Sequence, residues 1–151
     1  KTVVEPEPQP EGEVTSVSLP ADGEVVLAEG ESYKSTIIVE GWGAHYLEVD
    51  VNVTDPQAPI EARNQFTLAA NELDPYDGSE ADFAALGISV TYSEAEQRWD
   101  IDFGQAATSA MVASGEIRFY FAVLDANRLN LWGDMHNTTP EMRRFVNLSQ
   151  E

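Results

Sequence analysis

At 151 residues the chain has the length of one ordinary domain, and 42% hydrophobic with 23% charged residues place it among folding, globular sequences. Twenty-seven acidic residues against eight basic ones leave a formal net charge of -19, which disfavours nucleic acid and anionic membrane surfaces as partners, because both demand clustered Lys and Arg. The absence of cysteine excludes disulfides, thiolate metal sites and cysteine nucleophiles, and no apolar run approaches the roughly 18 residues that cross a bilayer, so no direct membrane insertion is expected.

Residues 1–13 read KTVVEPEPQPEGE, where Glu and Pro alternate with almost nothing to bury, and they are expected to form an extended linker. Such a spacer points to a larger multidomain or anchored parent, with residues 14–151 folding as a single domain. Strands are then expected at 14–19 and 25–27, separated by the turn Pro20-Ala21-Asp22-Gly23. Residues 33–40 (YKSTIIVE) are rich in β-branched side chains and stop at Gly41-Trp42-Gly43. In residues 46–54, Leu47, Val49, Val51 and Val53 alternate with Glu48, Asp50, Asn52 and Thr54, so one face is dry and the other wet, the habit of an antiparallel sheet.

The middle is less regular, with a strand expected at 65–70 and an acidic loop at 71–85 carrying one helical turn at 80–85. Residues 88–92 and 99–103 form a hairpin by pattern, with Ile88, Val90, Tyr92, Trp99, Ile101 and Phe103 on one face. A short helix is expected at 105–113. Ile117, Phe119, Phe121 and Val123 alternate again, and a last strand holds Phe145, Asn147 and Ser149. Many short strands between Gly, Pro and Asp turns predict an all-β, antiparallel, immunoglobulin-like β-sandwich with one short helix; a jelly roll or partly open barrel is the alternative.

The ingredients of catalysis are few. Only His45 and His136 are present, no G-x-S-x-G elbow surrounds a serine, and neither H-E-x-x-H nor a Gly-rich phosphate loop occurs. The chain is therefore not expected to be an enzyme, and no organic cofactor is implied. Calcium is the one cofactor considered, because Asp74, Asp77, Glu80 and Asp82 in one short loop supply the hard oxygens it prefers, though not at EF-hand spacing; solvated turn residues capping a short helix are the plainer reading.

Exposed aromatic rings are the second candidate site, since sugars dock their C–H faces on Trp and Tyr while polar groups fix orientation. Trp42 and Trp132 each lie beside a glycine in a turn, with Tyr46, Asp134 and His136 close in sequence; Trp99 sits at the inward phase of the hairpin and is read as core. The plainer reading is that Trp42 and Trp132 plug the open end of a sandwich. Lys34, in a β-branched strand, is compatible with a lysine–asparagine crosslink of the kind found in surface adhesins and pilins, although a solvent-facing side chain is favoured. Asn52, Asn137 and Asn147 begin N-glycosylation sequons, of which Asn137 is the most accessible by position.

The run Ser114-Gly115-Glu116-Ile117-Arg118-Phe119-Tyr120-Phe121, followed by Val123-Leu124-Asp125-Ala126-Asn127, resembles the late strand and turn of immunoglobulin-like and fibronectin type III-like modules of bacterial surface proteins. Val90-Thr91-Tyr92, Trp99 and Leu131-Trp132-Gly133-Asp134 also resemble a pattern in surface starch-binding lipoproteins, from which the insertion Arg128-Leu129-Asn130 departs. The first resemblance implies an extracellular, cell-surface module with a structural, adhesive or ligand-presenting role and another surface protein as partner. The second implies a carbohydrate-binding module attached to a surface enzyme or transport system, with a glycan as ligand.

Overall fold

Strands form where the period of two is strongest, and turns fall where Gly, Pro and Asp interrupt it. The computed structural model describes residues 8–53, 57, 64–70, 72–73 and 87–151. In chain order the strands are β1 (Glu13–Ser18), β2 (Gly23–Leu27), β3 (Lys34–Trp42), β4 (Tyr46–Val53), β5 (Asn64–Ala69), β6 (Glu72–Leu73), β7 (Ser89–Ser93), β8 (Arg98–Asp102), β9 (Glu116–Leu124), β10 (Asn130–Trp132) and β11 (Arg143–Gln150). Among the described residues one helix, α1 (Gly104–Ser114), joins β8 to β9, and a 3₁₀ turn (Pro140–Met142) precedes β11.

The strands make two sheets, one ordered β1-β3-β8-β7 and the other β2-β11-β9-β4-β5-β6, with β10 added alongside β9. The fold is thus an all-β sandwich with one short helix. Among the described residues every pairing is antiparallel except that of β2 with β11, which is parallel. That exception follows from a crossing: β1 runs antiparallel to β3 as far as Ser18 opposite Ile38, and continuing the register would set Pro20 opposite Thr36. A proline cannot donate to the ladder, so the chain leaves the first sheet there and joins the second as β2.

The alternating side chains supply the core between the sheets. Leu47, Val49 and Val51 of β4, Ile117, Phe119, Phe121 and Val123 of β9, Ile37 and Val39 of β3, and Trp99 and Ile101 of β8 are all buried in one cluster. The hairpin face also forms as the pattern predicts, with Val90 opposite Ile101 and Tyr92 opposite Trp99. Aromatic rings bridge the sheets: Phe103 lies 5.6 Å from Tyr33 and 5.9 Å from Phe119, which stacks on Phe121 at 6.1 Å. In β11 the inward residues are Val146 and Leu148, because pairing sets Val146 against the inward Ile117. Phe145 faces outward under the Arg143 guanidinium, 4.7 Å from its ring centre.

Helix α1 is fastened at its start rather than merely packed. The Asp102 carboxylate accepts from the Gly104 N–H at 2.9 Å and from the Ser32 hydroxyl at 2.6 Å, while Thr108 Oγ1 accepts the Tyr33 N–H at 2.8 Å. Ala107, Ala110 and Met111 then close one side of the core.

Candidate functional site at one end of the sandwich

Antiparallel pairing of β4 with β9, with Tyr46 opposite Leu124, brings the short β3–β4 connection and the long β9–β11 connection to the same end of the sandwich. Trp42, Tyr46, Trp132, Asp134 and His136 all belong to that end. They do not share one environment. Trp42, the last residue of β3, is 63% exposed, so it is not an end plug. Trp132 in β10 is half-buried and packs against the core cluster, opposite Val123. Tyr46 alternates with buried Leu47 and looks away from the core; its ring meets that of His45 edge-on at 4.4 Å and lies under the Arg128 guanidinium, also at 4.4 Å.

Asp134 and His136 form a local turn, in which the Asp134 carboxylate accepts the His136 N–H at 2.9 Å and the His136 side chain is exposed. The turn rests on Met142, fully buried, whose sulfur lies 3.4 Å from the Asp134 N and 3.3 Å from the Thr139 N.

Asp125, which the sequence offers only as a turn residue after β9, organises this end. It is fully buried, at the rim of the fold. One carboxylate oxygen accepts the N–H groups of Asn127 and Leu129 at 2.8 and 2.9 Å, and the other accepts the N–H of Glu11 at 2.7 Å. Burial on its own would raise this carboxyl, but the three main-chain donors outweigh it and hold the group below the ordinary carboxylate range. The signal in the sequence is an Asp directly after an apolar strand and before Ala126-Asn127, a turn-forming context, but nothing there points to Glu11.

Glycines bring the leading segment against the same end. A Cβ on Gly43, whose φ is 85°, would run into the Glu11 carbonyl and lie 2.6 Å from Gly12 Cα. A Cβ on Gly41, φ 131°, would collide with the Glu13 carbonyl. Residues 11–13 therefore lie at main-chain contact on the end of β3 and the β3–β4 connection, which only glycine permits. On its other side Gly12 approaches Leu131, whose Cδ1 would be 2.9 Å from an added Cβ.

Away from this end, a groove of about 500 Å³ runs between the first residues of β3 and the crossing to β2, lined by Leu19, Pro20, Val25, Leu27, Tyr33 and Lys34 among others. Lys34 is solvent-exposed opposite Asp102. The lysine–asparagine crosslink lacks its buried amine and is set aside, since it is burial that would shift a lysine toward the neutral nucleophile. Of the sequon asparagines, Asn137 and Asn147 are exposed and Asn52 is half-buried.

The acidic residues Asp74, Asp77, Glu80 and Asp82 lie outside the described residues. Among the described residues, no group of three His, Asp or Glu side chains is arranged to hold a metal ion. Also among the described residues, no helix is long and apolar enough to cross a membrane. No family model matches the chain, and no curated protein resembles it at a significant level.

Proposed function

We propose that this chain is a non-catalytic module of an extracellular or cell-surface protein, of the immunoglobulin-like sandwich type, whose loop end presents contact residues for adhesion or ligand capture. The strand order supports the type: β1-β3-β8-β7 against β2-β11-β9-β4-β5-β6 corresponds to the A-B-E-D and A′-G-F-C-C′-C″ sheets of a variable-type immunoglobulin module. In that correspondence the β3–β4 and β9–β11 connections stand where such modules carry their recognition loops.

The observation that carries the functional reading is Trp42. A large apolar side chain 63% exposed, at the end of a strand whose main chain is pinned by contacts to residues 11–13, is a ready contact anchor that needs little ordering on binding. The strongly acidic composition suits a solvated surface protein and disfavours polyanionic partners.

Carbohydrate is the second reading, and the same ring favours it, because an exposed indole offers the flat face on which sugar C–H groups stack. Tyr46, Trp132, Asp134 and His136 surround that end, but Trp42 alone of the three rings is freely presented. A glycan array probed with the full chain and with Trp42→Ala, in the presence and absence of calcium, separates the readings. Glycan binding that Trp42→Ala abolishes supports carbohydrate capture, and a calcium requirement brings in the Asp74–Asp82 loop. Silence on every glycan, with adhesion to protein-coated surfaces that Trp42→Ala abolishes, supports the first reading. Binding of either kind that ignores Trp42→Ala overturns the assignment of this end as the contact surface.

A further inference from the structure

Two connections that share one end of the sandwich are joined by a third piece of chain that comes from elsewhere in the sequence. Residues 11–13 touch the end of β3 at Gly41 and the β3–β4 connection at Gly43 through glycine-only main-chain contacts. They touch the β9–β10 turn through the bond from the Glu11 N–H to Asp125, the residue that also folds the turn through Asn127 and Leu129. Pairing continues directly from this contact into the sheet, with Glu13 opposite Trp42 and Val14 opposite Gly41.

We propose that residues 11–13 act as a strap that couples the two connections, so that the seating of the strap sets the order of the end that bears Trp42. The physical ground is that each contact is stiff for a different reason. On one side the fit is steric, at positions where a Cβ would have no room. On the other it is a charge-assisted hydrogen bond to a buried carboxylate, stronger than a neutral one and costly to leave unmade. Lifting the strap breaks both at once and leaves the two connections joined by the Arg128 guanidinium over the Tyr46 ring and by the His45 N–H on the Leu124 carbonyl.

Coupling of this kind is reciprocal. Displacing residues 11–13 loosens the Trp42 end, and a ligand that orders the Trp42 end holds the strap down. The second statement rests on the function proposed above; the first does not, and it is read without any ligand.

Amide hydrogen exchange on the full chain tests the strap with two variants, each scored on the side it does not touch. Asp125→Asn keeps the size of the side chain but removes its charge and one acceptor, and it is scored at residues 42–44. Gly43→Ala displaces the strap sterically and is scored at residues 127–131. Loss of a hydrogen bond to a charged group predicts exchange faster by about tenfold or more at the distant connection in each variant, over and above the uniform rise that the variant's loss of global stability in urea produces at the amides of Val49, Val51, Phe119 and Phe121. If Asp125→Asn loosens only residues 127–129, the carboxylate is a local turn device and the proposal fails. If exchange rises equally in the core strands, Asp125 acts on global stability alone and the proposal fails too. Should Gly43→Ala not fold, Asp125→Asn decides by itself.

Discussion

The Asp125 carboxylate accepts the main-chain N–H of Glu11 at 2.7 Å across 114 positions of sequence, while its other oxygen serves the turn formed by Asn127 and Leu129. A buried acid with three donors is a fastening, and removing it leaves those donors with no acceptor. Replacing it with Ala is expected to destabilise the fold by about 2 to 4 kcal/mol, with Asn intermediate, because a buried hydrogen bond to a charged group contributes about 1.5 to 3 kcal/mol. Urea midpoints at neutral pH measure this; a loss for Asp125→Ala within about 0.5 kcal/mol, the usual effect of a surface change, contradicts it.

Acid should expose the same fastening. Asp125 and Asp102 both titrate lower in the folded chain than in the unfolded one, Asp125 because its N–H donors overcome burial, Asp102 through the Ser32 hydroxyl first and then the Gly104 N–H and Lys34. Their stabilisation is complete above the unfolded carboxylate value of about 3.9 and is lost as pH falls through the lower folded values. Asp50 has the opposite sign: burial raises it against Asn52 and Arg118, so its contribution favours the fold at low pH and is lost as pH rises. The urea midpoint should therefore fall steeply below about pH 4, and the fall should be shallower in Asp125→Asn. Parallel acid limbs for the two proteins would show that Asp125 is not among the groups responsible.

Two aromatic residues should respond to truncation in opposite ways. Phe119 is 1% exposed and lies within 5.9 Å of Phe103 and 6.1 Å of Phe121, so Phe119→Ala leaves a cavity costing about 3 to 5 kcal/mol. Trp42 is 63% exposed, and Trp42→Ala should change stability by less than about 0.5 kcal/mol. Thermal melts followed by circular dichroism read both. Comparable losses in the two variants would mean that Trp42 is part of the packing and not a free contact residue.

The sequence made the sandwich legible where alternation is strict and one face must be dry. In β4, Leu47, Val49 and Val51 leave no choice of parity, and the hairpin face from Ile88 to Phe103 is equally unambiguous. The short helix α1 was legible too, since Gly104-Gln105-Ala106-Ala107 breaks the period of two. The parallel pairing of β2 was hidden, because Val25-Val26-Leu27 says strand without saying which neighbour, and the neighbour is decided by the crossing at Pro20. Trp42 and Trp132 look alike in sequence, each beside a glycine. Their different exposure comes from β10 lying along β9 and turning Trp132 onto the core, while Trp42 ends an edge pairing with β1. Asp125 and Glu11 were invisible as a pair, because a bond between side chain and main chain carries no residue pattern at the far end.

The most direct measurement of this fastening is an NMR pH titration of the Glu11, Asn127 and Leu129 amide protons. All three should move together, with one common midpoint below the ordinary Asp value of about 3.9, because all three report on one carboxylate. A Glu11 amide that stays still, or follows a different midpoint, while Asn127 and Leu129 titrate together would show that the leading segment is not held by Asp125.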